Sequence, residues 1–390
     1  MKKFLTLFLV VILLWLPNPV LAADESDESQ KTRIAGALLT DVMDLVLARY
    51  AGEEKLSPEL LYEAALRGLM GELDIYSEYL NPKQLHTLTQ GFSGSMYGIG
   101  VTLQMENDMP AINHVLAESP ALKADVRKGD LLIKVNGANV SGLDLEEILD
   151  LISDKDVVTL NLKRGDEDIE KTITKAQIKL QSVYAMSFET LLKSAEKNDN
   201  SAIHYIYISD FGEETAAEFK KVITDLRANG VKGIAIDLRG NTGGYADSVI
   251  EICNMIVPEG PIMYTINKNN SRMLINSKLT DRPFEEIIVL TDSGTASASE
   301  VLASALQDAK AATVVGNTTY GKGVIQSIFE LPYGGGLKLT TEEYLRRSGE
   351  KINDIGVIPD ISLEELIEEY DSLYNESDLP LEKAYALLRD

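Results

Sequence analysis

Ser297 stands in a run of small residues, 294–300 (Gly-Thr-Ala-Ser-Ala-Ser-Glu), that follows the apolar segment 287–290. At a helix start, a serine hydroxyl lies beside free backbone N–H groups and the positive end of the helix dipole, which together can stabilise an oxyanion. Ser297 is therefore a candidate nucleophile. The spacing of Ser297 and Glu300 also fits a capping box, in which the serine would only begin a helix. The spacing alone allows both interpretations.

Lys322 is the candidate base for this serine, because none of the three histidines occupies a convincing position. The lysine lies between two glycines, 25 residues after Ser297, and an apolar strand pattern follows it. A lysine with an ordinary pKa of about 10.4 is almost fully protonated at neutral pH and would be a useless base. Burial can lower that pKa by about 3 units, at a cost of roughly 4 kcal/mol in stability. Gln326 could orient the amine or could be an ordinary surface residue.

A second glycine-rich loop covers residues 237–244 (Asp-Leu-Arg-Gly-Asn-Thr-Gly-Gly). Its glycines permit a tight turn with exposed backbone N–H groups, which is a suitable cradle for an anion. A nucleotide-binding loop is a poor alternative, because the lysine and hydroxyl of the Walker pattern are missing.

The elements that must position these loops alternate between strand and helix. This order predicts an α/β layered domain whose strands feed loops at one sheet edge, where active sites gather. The predicted elements are strands 203–209, 233–238, 286–291 and 313–315 and helices 214–229, 246–255 and 298–308. A last acidic helical segment, 363–388, is expected to pack back on this body.

The segment upstream has a different pattern, with short strands and glycine turns from about residue 93, an amphipathic helix around 143–152 and an alternating strand at 157–162. This pattern resembles a PDZ domain of the kind found in bacterial proteases, and the resemblance implies that the glycine-flanked loop can capture a C-terminal carboxylate with its backbone N–H groups while the next strand pairs with the peptide. Taken alone, the loop could be only a hairpin turn. The candidate peptide-binding residues are Tyr97, Gly98, Ile99, Gly100 and Val101.

Residues 1–22 have the pattern of a secretory signal peptide, with two lysines, an apolar stretch at 4–16, two prolines and a small-residue end. We expect cleavage after Ala22 or Ala23 and a mature protein outside the cytoplasm, in a periplasmic, cell-envelope or secreted location. An uncleaved membrane anchor is the alternative, although the stretch falls short of the roughly 20 residues that span a bilayer. An acidic linker and a helical region are predicted at 23–85, with helical patterns at 38–50 and from an N-cap at Ser57.

Composition excludes several classes of function. The formal net charge of −24 is unfavourable for binding nucleic acid or an anionic lipid surface. Cys253 is the only cysteine, so no intramolecular disulfide can form, and it is expected to pack in the core. His86, His114 and His204 are scattered and have no metal-ligand spacing. We therefore expect no metal, no cofactor and no nucleic-acid partner.

Together, these motifs resemble the C-terminal processing, or tail-specific, serine peptidase family with a PDZ domain. The resemblance implies that Ser297 is the nucleophile, Lys322 the general base and Gln326 the residue that positions the lysine. It also implies an oxyanion hole made by the backbone N–H groups of Gly243 and Ala298. The motifs that carry it are 237–239 with the two glycines at 243–244, 294–300, 321–323 with Gln326, the loop at 97–101 and 356–360 (Gly-Val-Ile-Pro-Asp).

The resemblance implies the architecture as well. The expected chain is α/β and multidomain, with a helical N-terminal region, a β-rich PDZ domain at 86–178, an α/β layered peptidase core at 179–360 resembling the ClpP/crotonase-like fold, and a C-terminal helical segment at 361–390. The family cuts peptide bonds, often near a C-terminus, without metal or cofactor. Its PDZ domain recognises substrate tails or gates the site, and its terminal helical regions commonly pair in a homodimer.

This sequence departs from the family pattern in three places. Thr242 replaces the usual proline of the oxyanion turn, residues 124–125 read Ala-Asp in place of Ala-Gly, and residues 345–348 lack a common proline. The main alternative function is a catalytically silent PDZ scaffold that binds tails without cutting them. The intact serine, lysine and glutamine argue against it. Two Ser-x-x-Lys patterns, 194–197 and 348–351, lack the companion motifs of penicillin-binding enzymes.

Overall fold

The computed structural model describes residues 27–52, 55–106, 109–192, 195, 202–332, 334–370 and 378–389. The predicted signal peptide lies outside the described residues. The chain divides into two compact units, residues 1–72 and 73–390. Among the helices described, none combines the length and the apolar character that a membrane crossing requires.

The described part of the first unit contains helices α1 (Asp27–Arg49) and α2 (Pro58–Gly71). α1 begins within the predicted acidic linker, and none of its residues is buried. α2 begins as predicted, because the Ser57 side chain accepts a hydrogen bond from the Leu60 N–H at 3.2 Å and a proline occupies the first helical position.

Residues 95–179 form a β-rich domain that corresponds to the predicted block 86–178. Five strands form a sheet in the order β3-β4-β5-β7-β8, β6 pairs with β5, and β2 pairs with β9. β3 is an edge strand, directly after the predicted peptide-binding loop. The elements are β2 (Ser95–Gly98), β3 (Val101–Glu106), β4 (Met109–Val115), α4 (Pro120–Lys123), β5 (Leu131–Val135), β6 (Ala138–Asn139), α5 (Leu145–Ser153), β7 (Val157–Arg164), β8 (Glu167–Thr174) and β9 (Ala176–Lys179).

The described residues from 183 onward form the predicted α/β layered fold, whose main sheet has the order β10-β11-β12-β15-β16-β19. Residues 361–362, predicted to belong to a C-terminal helical segment, are the strand β19 of this sheet. Its strands are parallel except for β10. The elements are β10 (Val183–Met186), α6 (Phe188–Leu191), β11 (Ile203–Ile208), α7 (Thr215–Ala228), β12 (Gly233–Asp237), α8 (Ala246–Ile256), β13 (Gly260–Asn267), β14 (Arg272–Ser277), β15 (Glu286–Thr291), α9 (Ala298–Asp308), β16 (Thr313–Gly316), β17 (Val324–Glu330), β18 (Gly336–Arg346), β19 (Ile361–Ser362), α10 (Leu363–Tyr370) and α11 (Leu379–Arg389).

Helices cover both faces of the main sheet, which explains the continuous apolar run 287–290. Ile287 and Val289 of β15 pack in one core with residues of α7, α8 and α9. Ile288 and Leu290 point to the opposite face and pack with α6 and α11. A parallel strand buried on both faces needs apolar residues at every position.

A second, antiparallel sheet has the order β1-β18-β13-β14, with β17 paired to β18. Its edge strand β1 (Glu78–Leu80) precedes the β-rich domain in sequence, and Tyr79 pairs with Leu337. Helix α3 (Pro82–Phe92) follows it. Residues 78–80, predicted to belong to a helical region, are therefore a strand of this second sheet.

Candidate active site

The two candidate loops follow neighbouring parallel strands, β12 and β15. Because the carboxyl ends of parallel strands meet at one sheet edge, the loops touch. The Ala296 N–H donates to the Asn241 carbonyl at 3.0 Å, and the Thr295 hydroxyl donates to the Leu238 carbonyl at 2.9 Å. The nucleophile candidate and the anion cradle thus form one hydrogen-bonded structure.

Ser297 immediately precedes α9 and has φ 56° and ψ −116°. A positive φ is uncommon for a residue with a side chain and marks local backbone strain. Hydrogen bonds on both sides hold this conformation. The Ser297 N–H donates to Glu300 Oε2 at 2.8 Å, and the Ser297 carbonyl accepts from the Glu300 N–H at 2.9 Å.

Glu300 is fully buried and connects the serine loop to the lysine loop. Its Oε2 accepts from the N–H groups of Ser297 at 2.8 Å and Lys322 at 2.9 Å. Its Oε1 accepts from the Thr319 hydroxyl at 2.5 Å and the Gly321 N–H at 2.7 Å. The carboxylate therefore supplies the reciprocal half of the predicted capping box and also fixes the backbone of the candidate base.

Lys322 is half-buried and lies two residues before β17. Burial lowers the pKa of its amine, and the positive charge of Lys338 lowers it further, while Glu300 and Glu78 act in the opposite direction. The Nζ atom lies 5.1 Å from the centre of the Tyr76 ring. The net lowering of the pKa, of which burial is the largest cause, increases the neutral fraction of the lysine, which a general base requires.

Glycine is required beside the lysine because Asn353 approaches the backbone closely. A β-carbon at Gly323 would lie 2.4 Å from the Asn353 nitrogen. The Gly323 N–H also donates to Asn353 Oδ1 at 3.1 Å.

Gln326 is near Lys322 but has a different hydrogen-bond partner. Its Nε2 donates to Thr340 Oγ1 at 3.4 Å, and within the described part of the chain no hydrogen bond joins it to the Lys322 amine. Its role in positioning the lysine therefore remains a prediction.

Gly243 packs directly against the serine turn. It has φ 103°, and a β-carbon there would lie 2.8 Å from the Ala296 oxygen and 2.9 Å from the Ala298 nitrogen. Its N–H donates to Asn241 Oδ1 at 2.9 Å. The structure brings the two predicted oxyanion residues together beside Ser297, and their role in binding an oxyanion remains a prediction.

A cleft of about 960 Å³ contains all five predicted residues of the peptidase site: Gly243, Ser297, Ala298, Lys322 and Gln326. One wall is formed by α3 with Thr87, Leu88 and Phe92, and another by β17 and Tyr344. Such a cleft is large enough for several residues of an extended peptide.

The predicted peptide-binding residues cover the end of β2, the two-residue turn after it and the first residue of β3, apart from the described lining of this cleft. Ile99 is buried, and its carbonyl accepts from the Ala121 N–H at 2.8 Å. The Tyr97 hydroxyl donates to Asp156 Oδ1 at 3.2 Å. Gly100 has φ 81°, and Val101 begins the edge strand.

Sequence reasoning missed the two tyrosines of the site, Tyr76 and Tyr344. The Tyr344 side chain is 2% exposed, and its hydroxyl lies 2.6 Å from the Lys322 carbonyl and 3.1 Å from the Ser297 carbonyl. It thus bridges the backbones of the two candidate catalytic residues. Both tyrosines reach the site through strand pairing, for which the local sequence carries no signal.

Comparison with known proteins identifies the family of the chain. Residues 202–363 match the model of peptidase family S41, and residues 91–163 match a PDZ domain. The chain is 30% identical over 361 residues to a probable CtpA-like serine protease of Staphylococcus aureus strain COL, a match that covers 91% of this chain and 69% of that protein. The chain belongs to peptidase family S41. The predicted family, the α/β core and the PDZ domain are thereby confirmed.

Two further family S41 relatives are informative. The carboxy-terminal processing protease CtpB of Bacillus subtilis is 33% identical over 315 residues, covering 80% of this chain and 65% of CtpB. The structure of a photosystem II D1 C-terminal processing protease has a TM-score of 0.50 and 26% identity, over 84% of this chain and 92% of that one. The chain spans 62% of the length of several other Staphylococcus aureus relatives, less than two thirds of those proteins.

Proposed function

We propose that this chain is a serine endopeptidase that hydrolyses protein substrates, often near their C-termini, with Ser297 as nucleophile and Lys322 as general base. The observation that carries the proposal is a single cleft that contains Ser297 together with a lysine whose pKa is lowered by burial. Family membership supports it. The relatives are named as a probable CtpA-like serine protease and a carboxy-terminal processing protease.

In the proposed reaction, the neutral Lys322 amine takes the proton of the Ser297 hydroxyl as the serine oxygen attacks the scissile carbonyl. The backbone N–H groups of Ala298 and Gly243 stabilise the resulting oxyanion, for which the Gly243 N–H must leave Asn241 Oδ1. The Lys322 ammonium then gives its proton to the departing amine, which leaves an acyl-enzyme. Water releases the acyl group by the reverse sequence of proton transfers.

Cleavage of casein by the purified chain tests this proposal. Ser297→Ala and Lys322→Ala should each abolish cutting, whereas Ser293→Ala, an exposed serine of the same loop, should retain it. A fluorophosphonate probe should label the parent chain and fail to label Ser297→Ala. Cutting by Ser297→Ala at the parent rate would refute the proposal. Cutting by neither form, with binding of peptide tails retained, would favour the silent PDZ scaffold.

We propose that the PDZ domain recognises the C-terminal tail of the substrate or gates the active site. The edge position of β3 supports this, because an extended peptide can pair with an unpaired strand edge directly after the 97–101 loop. Binding of a fluorescent peptide with a free C-terminus to the Ser297→Ala chain, compared with the same peptide amidated, tests the carboxylate contact. Equal affinities would contradict it.

We propose that the chain forms a homodimer through its terminal helical regions. α1 presents Ile34, Leu38, Val42 and Leu45 at helical spacing, and these side chains are 54–60% exposed. Such an apolar stripe needs a partner surface, and a second copy would supply one. Light scattering should give twice the chain mass for the parent and the chain mass for Leu38→Asp. A monomeric parent at micromolar concentration would contradict the proposal.

We propose an extracytoplasmic location, supported by the signal-peptide pattern of residues 1–22. N-terminal sequencing of the expressed protein should find the start after Ala22 or Ala23. An intact N-terminus in the membrane fraction would favour the uncleaved anchor instead.

A further inference from the structure

The side chain of Lys322 lies against an aromatic face that the proposed reaction does not use. The Nζ atom is 5.1 Å from the centre of the Tyr76 ring, which is within the range of a cation–π contact. Tyr76 is half-buried, so water screens this contact less than it would at the surface. The ring can therefore replace part of the hydration that the ammonium loses on burial.

The position of Tyr76 is fixed by hydrogen bonds of its neighbours. Asp74 Oδ1 accepts from the N–H groups of Tyr76 and Ser77, both at 2.8 Å. The Ser77 hydroxyl donates to Asp74 Oδ2 at 2.8 Å and accepts from the Thr340 N–H at 3.0 Å. This turn leads directly into β1, which pairs with β18. The ring is thus held at the sheet whose strand β17 begins two residues after the lysine.

The other charged groups around Lys322 already have partners. Lys338 of β18 forms an ion pair with Glu78 of β1, so their opposite effects on the lysine partly offset each other. The Glu300 carboxylate of α9 accepts four hydrogen bonds, from Ser297, Thr319, Gly321 and Lys322. The Tyr344 hydroxyl bonds to the backbone carbonyl of Lys322. The face of Tyr76 is therefore an additional stabiliser of the ammonium form.

We propose that the ring of Tyr76 binds the ammonium form of Lys322 and thereby sets the pH at which the proposed general base becomes neutral. The inference rests on the proposed function of Lys322. Tyr76 is in this sense a positioning residue, because it acts through the lysine. Burial and the neighbouring Tyr320 raise the pKa of the Tyr76 phenol, and the charges of Asp354 and Glu300 add to this, so the ring itself stays neutral over the working range.

The test compares Tyr76→Leu, which removes the aromatic face, with Tyr76→Phe, which keeps the face and removes the hydroxyl. Competitive labelling with trace acetic anhydride over about pH 6 to 11, read by mass spectrometry in the Ser297→Ala background, gives the pKa of Lys322 without any turnover. For Tyr76→Leu we expect that pKa to fall by about half to one and a half units, and for Tyr76→Phe to stay near the parent value.

The rate profile supplies a second readout. In chains that keep Ser297, the alkaline rise of kcat/KM for Tyr76→Leu should move to lower pH by the same amount as the labelling pKa. The rate near neutral pH should therefore increase about 3- to 30-fold. A purely structural role of Tyr76 would lower the rate instead. A labelling pKa that is unchanged or raised in Tyr76→Leu would overturn the inference. A lowered labelling pKa with an unmoved rate profile would support the contact and refute Lys322 as the base.

Discussion

Glu300→Gln should weaken both the fold and the proposed chemistry, because the substitution removes acceptors from a buried centre. The carboxylate accepts four hydrogen bonds, two on each oxygen, from Ser297, Thr319, Gly321 and Lys322. A carboxamide has one oxygen and one NH₂ group, so one or two backbone N–H groups would face another donor, because the Thr319 hydroxyl can turn to accept a hydrogen bond. An unmatched buried donor costs about 1–3 kcal/mol, which predicts a loss of about 1–6 kcal/mol in the free energy of unfolding.

The effect on activity follows from which donors are released. Either orientation of the carboxamide frees one pair, which is Ser297 with Lys322 or Thr319 with Gly321. Both pairs hold the loops that position the nucleophile and the base, and a misplacement of about 1 Å can cost about 100-fold in rate. We therefore expect kcat/KM for a fluorogenic peptide to fall by about 100-fold.

Thermal unfolding and steady-state kinetics of the same preparation measure the two effects. We expect the melting temperature of Glu300→Gln to fall by roughly 2–20 °C. Glu251→Gln is the matched control, because Glu251 is exposed on α8, and it should leave both quantities unchanged. Parent-like kcat/KM and melting temperature in Glu300→Gln would refute the view that this carboxylate holds the two loops together.

Three further substitutions test other parts of the site. Gly243→Ala would place a β-carbon 2.8 Å from the Ser297 Cβ at φ 103° and should lower kcat/KM by about 100-fold. Arg239→Met would leave the Asp237 carboxylate, 2% exposed, without its ion-pair partner, and should reduce the free energy of unfolding in urea by about 3–5 kcal/mol. Lys322→Met should lower kcat by about 10²- to 10⁴-fold and raise the melting temperature at neutral pH.

The pH dependence of stability should differ between the parent chain and Lys322→Met, and the sign of the difference follows from the pKa of Lys322. Since the pKa of Lys322 is lowered in the fold, the unfolded chain binds more protons between that value and about 10.4, and parental stability rises with pH in this window. Lys322→Met should lack this rise, and an identical slope in both chains would contradict the lowered pKa.

Matched controls separate specific effects from general damage in the other two cases. Gly240 has a positive φ of 72°, but no atom lies within 4 Å of the position that a β-carbon would take. Gly240→Ala should therefore lose little activity. Equal losses of activity in Gly240→Ala and Gly243→Ala would contradict the steric argument. Lys232→Met breaks an exposed ion pair with Glu285 and should change stability by less than about 1 kcal/mol. If Arg239→Met also changed the free energy of unfolding by less than about 1 kcal/mol, the Arg239–Asp237 ion pair would not be important for stability.

The sequence predicted the elements whose signals are local. The continuous apolar run at 287–290 predicts a strand buried on both faces, and β15 covers it. The small residues after it predict a helix start, and α9 begins at Ala298. Because strands and helices alternate from residue 203, the meeting of the two glycine-rich loops at one sheet edge also follows from the pattern.

The second sheet could not be predicted in the same way, because its partners are distant along the chain. β1 has three residues and pairs with β18, which lies more than 250 residues later, so Glu78 faces Lys338. Nothing in a three-residue segment specifies such a partner. The same pairing brings Tyr76 to Lys322, which is why sequence reasoning placed the lysine in the site and missed the ring beside it.

Glu300 shows why a capping motif and a nucleophile are compatible at the same serine. The spacing of Ser297 and Glu300 is a local signal for a helix start, and the Glu300 carboxylate does accept the Ser297 N–H. The carboxylate also accepts the N–H of Lys322, a residue of another loop. A capping acid buried beneath both loops thus holds the serine in its strained conformation and sets its distance from the lysine. The local motif that argued for a purely structural serine is therefore part of what makes the proposed dyad geometrically possible.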